Sequence, residues 1–596
     1  MTAGEAAEPG RGAGPTVTVP SVPGAAKLAE RARTPGPVLQ GLLALAIYLA
    51  AFIIGLALPL VRDPGLPQVG QFTVDPNFYI WSLRWWPYAI SHGLNPLYSH
   101  QIGAPGGYQL AWTTSVPAVA VVLAPITAAF GPITSFNLIL LLSAPLSAWV
   151  AFLAARRLTG RFWAALMAGA VFGFSSYEIS HTVAGQPNLI VNLLLPLMLY
   201  LALLWRDGKL GDRAFAALMA VAMAAEFYIS LETFVEMTTI WAAGLLIGFA
   251  VARPEARRVV ARLAGLAAAA YVVALVLASP YLVYALRHSP GRFTKAAPIF
   301  SLDVVNLVVP RPNRVFWLTS LKHYATSLEG FSSDAYVGIP LLLVVLALAL
   351  LAWSSRLTRL LVVLFVLVIA VAVGPTLVIG GRQIGNLPWA RLWTLPVARS
   401  VEPVRIMLFG YLVLAIILGL WLAAPTRNRL LLASRWILGL LAVAAVLANL
   451  LPVSAGEGVP AGAPSAAVRT TNALPAFIST GVYRDYLRSG EIVVVVSDRG
   501  NAGMLFQADT DFYLRIAGGF INASFTDSSG LPAPVALLRH PSQDRERRFL
   551  AYVHRAGVGA ILVERAWSAP WMNVFSRMGL TGTSVGGVTI YRTPAA

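Results

Sequence analysis

The feature that most constrains this chain is a series of long apolar runs with few or no charges. A run of about 20 such residues crosses the hydrocarbon core of a bilayer, and the sequence contains about eleven candidates. They lie at residues 38–59, 133–155, 162–177, 189–205, 214–231, 234–252, 263–286, 336–353, 360–379, 406–424 and 436–453. Only 12% of the 596 residues are charged, against about a quarter in soluble domains. The sequence therefore predicts an α-helical polytopic membrane protein.

The basic residues between these runs indicate the orientation of the chain. Loops on the cytoplasmic side of a membrane are enriched in Lys and Arg. Residues 115–132 are apolar but contain three prolines; if this segment does not cross the membrane, five basic loops fall on the side of the basic N-terminal tail. These loops carry Arg156 and Arg157, Arg206 and Lys209, Arg253 and Arg257, Arg356 and Arg359, and Arg427 and Arg429. We therefore predict a multi-pass protein of the cytoplasmic membrane with a cytoplasmic N-terminus and a broken outer segment at 115–132.

The predicted topology divides the chain into four parts. They are a disordered cytoplasmic tail at 1–37, a transmembrane domain at 38–453 with outer loops at 61–132 and 287–335, a Pro-, Gly- and Ala-rich linker at 454–467, and an extracytoplasmic α/β domain at 468–596. In the last domain, predicted helices at 482–487, 545–556 and 571–578 alternate with predicted strands at 491–497, 560–564 and 587–591. Because the long loops lie outside and the inner loops are short, we expect the working face to be the outer one.

Charge and cysteine content exclude several functions. The formal net charge of +18 comes mostly from the inner basic loops, so it is an orientation signal and predicts no nucleic-acid partner. The chain has no cysteine, which excludes disulfides, thiolate metal sites and cysteine nucleophiles. Asp509 and Asp511 form an Asp-x-Asp pair that could bind a metal, but such pairs are more often solvated or capping features. We expect no metal and no other cofactor, with a divalent metal as the open alternative.

The densest group of candidate site residues follows the first apolar run. Asp75 opens a predicted helix on the outer interface that carries Trp81, Arg84 and Trp85, and His92 follows that helix. A carboxylate at a helix start is stabilised by the N-terminal amides, and tryptophans favour headgroup depth with their polar tips in water. The same pattern also fits an N-cap followed by an aromatic belt.

Two further polar clusters fall at the outer ends of apolar runs. The first contains Glu178 and His181, with Ser176, Tyr177, Gln186 and Asn188; the second contains Glu232, with Glu226, Tyr228 and Glu236. Carboxylates near a membrane boundary cost free energy unless they are paired or hydrated, so several on one face suggest a polar cavity. Capped helix ends in interfacial water are the alternative interpretation, and a lone histidine such as His181 more often serves structure.

Arginines supply the candidate anion ligands. Arg399 and Arg405 bracket Glu402 at the mouth of the run 406–424. An arginine fork at headgroup depth could hold a lipid-linked phosphate. A pair with Glu402, or a side chain that reaches out to lipid headgroups, is equally consistent with the sequence.

Taken together, these features resemble the GT-C superfamily of membrane glycosyltransferases, in particular its YfhO-like and mannosyltransferase-like bacterial members, including actinobacterial cell-envelope enzymes. The resemblance covers residues 38–453. It rests on Asp75 in the first outer loop, the Arg156–Gly160 turn, the soluble C-terminal domain, His92, Gly93, Asn95, Pro96, Pro105, Gly106, Gly107, and Gly338, Ile339 and Pro340.

The resemblance implies a transferase of cell-envelope biogenesis. Such an enzyme moves a sugar from a polyprenyl-phosphate donor to a glycan, lipid or protein acceptor on the outer face with inversion, and Asp75 matches the general base. Glu178 and Glu232 are then supporting acids; Trp81, Arg84, Trp85, His92, His181, Arg399 and Arg405 are candidate substrate-binding residues. Asp75 is followed by Pro76 and Asn77 where many members have an acidic pair, which leaves the metal requirement open. A transporter or flippase of a lipid-linked or envelope precursor, or a non-catalytic envelope scaffold, is the alternative.

Overall fold

The computed structural model describes residues 36–65, 75–288, 300–310, 335–395, 401–451, 474–497, 501–519, 538, 542–564 and 568–593. The predicted disordered tail, the predicted linker, most of the outer loop 287–335 and Arg399 lie outside the described residues.

The described residues between 36 and 451 form a helical bundle. Its main helices are α1 Pro37–Arg62, α2 Asp75–Ser91, α3 Pro117–Val122, α4 Ala124–Phe130, α5 Pro132–Thr159, α6 Phe162–Gly173, α7 Ser176–Ala184, α8 Leu194–Arg206, α9 Asp212–Ile229, α10 Leu231–Val251, α11 Pro254–Arg287, α12 Ile339–Ala352, α13 Arg356–Ala372, α14 Met407–Ala423 and α15 Arg429–Leu447. A single helical turn, Pro187–Ile190, lies between α7 and α8. Two short hairpins join them, β1 Tyr98–Ser99 with β2 Tyr108–Gln109, and β3 Thr376–Ile379 with β4 Arg382–Asn386.

By length and composition, seven of the described helical segments can cross a membrane. They are Pro37–Arg62, Pro132–Thr159, Pro187–Arg206, Leu231–Val251, Pro254–Arg287, Pro403–Ala423 and Arg429–Leu450. The bent pair α6 and α7, with axes 44° apart, makes an eighth candidate. The other three predicted runs also form helices, but α12 and α13 have only 14 and 17 residues, and α9 carries three charged residues. The chain is thus a multi-pass membrane protein, as predicted.

The predicted broken segment is broken in the structure. α3 and α4 together cover most of residues 115–132, and the chain turns between them at Leu123. Each helix has a proline in its first turn, where the missing amide hydrogen costs nothing. The prolines therefore divide the apolar run into two short helices.

Close helix packing fixes the bent pair against α5. A Cβ on Gly169 or Gly173 would lie 2.5 Å from the backbone oxygen of Ala148 or Ala144, so only glycine permits this approach. α6 then ends, and Ser175 caps α7 by accepting a hydrogen bond from the Glu178 amide at 3.3 Å. The break turns α7 and its polar side chains away from the axis of α6.

The C-terminal part is an α/β unit with a five-stranded sheet. Its order is β6–β5–β7–β9–β8, in which β5 runs parallel to β6 and β7, and β9 runs antiparallel to β7 and β8. The strands are β5 Ile492–Val496, β6 Arg515–Ile516, β7 Val558–Glu564, β8 Gly582–Val585 and β9 Val588–Arg592, with helices α16 Ala476–Ser479, α17 Tyr483–Tyr486, α18 Ala502–Asp509, α19 Gln543–Ala556 and α20 Ser568–Arg577. The six predicted elements are all present; α16, α18, β6 and β8 were not predicted.

The two parts are joined through the loop that follows α2. The Gly103 amide donates to the Gly518 oxygen and the Ala104 amide to the Ile516 oxygen, both at 3.0 Å, and the Ile516 amide donates to the Gln101 oxygen at 2.9 Å. Residues 101–104 therefore extend the sheet at the edge of β6. This pairing fixes the C-terminal unit against the loop and against α2.

Candidate active site

The candidate site begins at the first residue of α2. Gln186 Nε2 donates to Asp75 Oδ2 at 2.7 Å. The Gln186 Oε1 carbonyl accepts from His181 Nδ1 at 2.6 Å, which makes Nδ1 a protonated nitrogen of the His181 ring. No described residue donates to Asp75 Oδ1. The chain His181–Gln186–Asp75 thus orients a half-buried carboxylate and leaves one of its oxygens available.

Tyr79 lies one turn after Asp75 and adds a second polar contact. Its hydroxyl donates to Asn188 Oδ1 and lies 3.2 Å from Thr114 Oγ1. Burial, followed by the negative charge of Asp75, raises the pKa of Tyr79 well above its ordinary value. Tyr79 therefore stays neutral and serves as a hydrogen-bond donor that fixes the turn after α7.

Glu178 is a buried carboxylate on α7. Only 1% of its surface is exposed, and Asn192 Nδ2 donates to Oε2 at 2.7 Å. Within the described ranges, Glu178 Oε1 has no hydrogen-bond partner. Buried polar atoms are nearly always paired, so an orphan acceptor of this kind calls for an explanation, such as a ligand hydroxyl.

Arg405 forms a buried ion cluster with Glu232 and Glu402. Its Nη1 contacts Glu232 Oε2, and its Nη2 lies 2.8 Å from Glu402 Oε2. The Glu402 amide also donates to Glu232 Oε1 at 2.7 Å, so the start of α10 is tied to the turn before α14. The pair with Glu402, left open by the sequence, is present. Arg405 Nε is buried and has no acceptor in the described part of the chain.

The predicted acidic clusters converge, although they lie far apart in the sequence. Asp75, Arg405 and Glu232 lie within electrostatic range of Tyr79, and Tyr177 and Glu236 lie within electrostatic range of Arg405. The beginnings of α2, α7, α10 and the Pro403–Ile406 turn therefore meet in one polar region. Arg405, with its orphan donor Nε, lies within this region.

Trp81 and Trp85 are not in this polar region. Both are buried, their rings stack with centroids 5.2 Å apart, and Phe512 packs edge-on against each of them. Trp81 Nε1 donates to Gln507 Oε1, and Trp85 Nε1 donates to the Pro96 oxygen, both at 2.9 Å. Their polar tips bind protein, so the expectation that these tips lie in water is wrong. The rings form the contact between α2 and the C-terminal unit.

Arg84 and His92 are also placed away from Asp75. Arg84 Nη2 lies 2.9 Å from Asp511 Oδ1 across the same contact. His92 is exposed, stacks on Tyr88 with ring centroids 4.1 Å apart, and donates from Nδ1 to the Tyr88 oxygen at 2.8 Å. It follows the far end of α2, about 25 Å along the helix axis from Asp75. Neither side chain is brought to the candidate site.

No group of three or more His, Asp or Glu side chains suited to a metal occurs among the described residues. Asp511 of the Asp-x-Asp pair forms an ion pair with Arg84.

Tyr79, Asn192 and Gln507 have structural roles that the sequence did not indicate. For Tyr79, its place one helical turn after Asp75 was an available signal; for Gln507, whose partner is Trp81, there was none.

Sequence comparison assigns the chain to a family. Residues 41–448 match the family described as Domain of unknown function (DUF6311). The chain belongs to the DUF6311 family. The match covers nearly all of the helical bundle and ends before the C-terminal unit. A comparison with curated proteins finds no match.

Solved structures show the fold of this DUF6311 protein. The arabinofuranosyltransferase AftD from Mycobacteria superposes with a TM-score of 0.55 at 16% identity, covering 94% of this chain and 40% of that chain. The Archaeoglobus fulgidus oligosaccharyltransferase in the apo form gives 0.51 at 11% identity, covering 88% and 69%. The same enzyme tethered to an acceptor peptide also gives 0.51 at 11% identity, covering 93% and 74%. The DUF6311 chain has the GT-C fold predicted from its sequence and spans less than half the length of AftD.

Proposed function

We propose that this protein is a membrane glycosyltransferase that moves a sugar from a polyprenyl-phosphate donor to a cell-envelope acceptor, on the outer face and with inversion. The observation that carries the proposal is the Asp75 carboxylate, held through one oxygen by Gln186 at the start of α2. The GT-C fold and the sugar transfer named for AftD and the archaeal enzyme support it.

In the proposed reaction Asp75 is the general base. Its Oδ1 takes the proton of the acceptor hydroxyl as that oxygen attacks the anomeric carbon of the donor. The bond between the anomeric carbon and the phosphate oxygen breaks, and polyprenyl phosphate leaves with the electron pair. Gln186 keeps the carboxylate oriented, and His181 keeps Gln186 oriented.

The orphan atoms suggest where substrate groups bind. Arg405 Nε, the one nitrogen of this guanidinium without an acceptor in the described chain, is the candidate donor to the leaving phosphate. Glu178 Oε1 is the candidate acceptor for a sugar hydroxyl. Glu232 acts through Arg405, which it holds in place, and Arg399 remains a candidate second phosphate ligand. Trp81, Arg84 and Trp85 have structural partners and are not part of this proposal.

The test is release of polyprenyl phosphate from a panel of polyprenyl-phosphate sugars. Purified protein in nanodiscs, supplied with envelope extract as acceptor, is compared with the Asp75→Asn variant. Loss of a positioned general base lowers the rate by about 10²–10⁴-fold. Asp485→Asn is the matched control, because Asp485 is an exposed acid on α17 of the C-terminal unit.

Release by the wild type and by Asp485→Asn, with loss in a folded Asp75→Asn variant, is the expected result. Normal release by Asp75→Asn would remove Asp75 as the base. No release by any of the three folded proteins, over a complete donor panel, would reject the transferase in favour of lipid transport or a scaffold.

A further inference from the structure

The β3–β4 hairpin presents an exposed apolar and basic surface next to the candidate site. Ile384 in the hairpin, Leu392 in the short turn Ala390–Thr394, and Leu395 directly after that turn are 60%, 56% and 55% exposed. Every residue of β4 is exposed. We refer to residues 374–395 as the hairpin segment.

The hairpin segment is a fixed structure. Asp303, which is fully buried, accepts from the Gly380 amide at 2.9 Å and from the Gly381 amide at 2.6 Å, so its carboxylate holds the tip of the turn. Trp389 Nε1 donates to the Gly374 oxygen at 2.9 Å and closes the base of the segment. The apolar side chains are therefore held outward and do not fold back to cover one another.

The base of the segment lies against the first turn of a membrane-spanning helix. Gly374 has φ of 70°, and a Cβ on it would lie 2.9 Å from Pro403 Cγ. Pro403 begins the candidate span Pro403–Ala423, whose first turn also carries Arg405 of the ion cluster. The hairpin segment thus projects from the bundle at the end where a span begins and where the candidate site lies.

The charged residues of the hairpin segment are all positive. Between Gly374 and Val401 the sequence contains arginines but no Asp or Glu. Arg382 and Arg391 make no ion pair with any described residue. Exposed apolar side chains interleaved with these arginines fit the boundary between acyl chains and anionic headgroups. There the apolar side chains contact the acyl chains and the arginines contact the headgroups.

Backbone pairing limits the depth of the segment. The hairpin has two strands, so the outer edge of β4 has no strand partner within the described residues. Unpaired amide and carbonyl groups are costly in the hydrocarbon core, where no water can bind them. The segment therefore belongs at headgroup level, with only its apolar side chains reaching the acyl chains.

We propose that the hairpin segment is a membrane-interface anchor that binds the anionic surface of the leaflet at the candidate site. It would fix the mouth of the site at the depth at which the phosphate of a lipid lies. The proposal concerns bilayer contact and does not depend on catalysis.

The test uses the absence of cysteine, since single cysteines can then be spin-labelled without background. Labels at Ile384→Cys and Leu392→Cys are compared in nanodiscs of phosphatidylcholine with and without phosphatidylglycerol, by their collision rates with oxygen and with a water-soluble nickel chelate. Thr583→Cys on the exposed strand β8 is the water reference. Leu246→Cys, 72% exposed along α10, is the lipid reference.

The expected oxygen-to-nickel ratio at both hairpin labels is several-fold above that at Thr583→Cys and below that at Leu246→Cys. It should rise with phosphatidylglycerol and fall again when Arg382 and Arg391 are both replaced by Gln. A ratio equal to that of Thr583→Cys in both bilayers would overturn the anchor. Shielding from both reagents would show a protein partner and also overturn it, and a ratio that ignores lipid charge and the Gln variant would overturn the role of anionic lipid.

Discussion

The ion cluster around Arg405 and the contact of α2 with the C-terminal unit use charge in different ways. The side chains of Arg405 and Glu232 are 13% and 10% exposed, whereas those of Arg84 and Asp511 are 26% and 56% exposed. Buried charges are costly to leave unpaired, whereas exposed pairs contribute little. The α2 contact relies instead on stacked aromatic rings. Charge is thus buried where substrate chemistry is proposed, and apolar area joins the two parts of the molecule.

The largest effect on stability is expected from removing Arg405. Arg405→Met removes the buried cation that contacts both Glu232 and Glu402, which costs about 3–5 kcal/mol. The free energy of unfolding is measured by SDS titration in bicelles.

Neutralising the whole cluster is the matched control for Arg405→Met. Replacing Glu232 and Glu402 by Gln in the same protein removes the two buried carboxylate charges and should restore most of the lost stability. An Arg405→Met variant as stable as the wild type would show that the cluster is open to water. The ion cluster and the α2 contact would then not differ in the burial of their charges.

A slightly smaller effect is expected from Phe512→Ala, which removes the ring packed against Trp81, Trp85 and Tyr88. Truncating a buried Phe costs about 3 kcal/mol or more, which corresponds to roughly a hundredfold greater population of the open form. Hydrogen exchange within residues 101–104, where the Gly103 and Ala104 amides pair with the Gly518 and Ile516 oxygens, should accelerate by that factor.

Met572→Ala is the control for this experiment, because Met572 is an apolar residue on α20 that is 42% exposed. Its exchange at 101–104 should match that of the wild type. Unchanged exchange in Phe512→Ala would mean that strand pairing alone, without the aromatic rings, holds the C-terminal unit in place.

The same two regions show what the sequence could predict. Apolar runs and prolines are local signals, so they indicated the bundle, the broken segment and six elements of the C-terminal unit. The acids of the site were recognisable as well, because carboxylates at the ends of apolar runs are unusual. Their partners were not, since the hydrogen bond from Gln186 to Asp75 joins residues 111 positions apart.

The α2 contact was misread for a related reason. Tryptophans after an apolar run are typical of an interfacial belt, and that pattern does not reveal a protein partner. The partner helix α18 is buried along most of its length and has no amphipathic period, so its sequence did not predict a helix. Trp81 and Gln507 are 426 positions apart, and only the tertiary fold brings them together.

A smaller effect, confined to catalysis, is expected from Gln186→Leu. The variant loses the hydrogen bond that orients Asp75, and such bonds to charged groups are worth about 1.5–3 kcal/mol. We expect kcat to fall by at least about tenfold with little change in KM for the donor, measured by polyprenyl phosphate release. Gln543→Leu, on the exposed start of α19, should leave both constants unchanged. Equal kcat in the two variants would show that Asp75 needs no such orientation.

The smallest effect is expected from the exposed pair of the α2 contact. Arg84→Gln removes its ion pair with Asp511, and exposed pairs contribute about 0–1 kcal/mol. Exchange at 101–104 should therefore accelerate by less than about fivefold, and the difference from wild type should shrink as salt is added, because screening already weakens the pair. The comparison with Phe512→Ala is the informative one. If Arg84→Gln opened the contact as much as Phe512→Ala does, charge and not aromatic area would join the two parts, and the distinction between the two regions would fail.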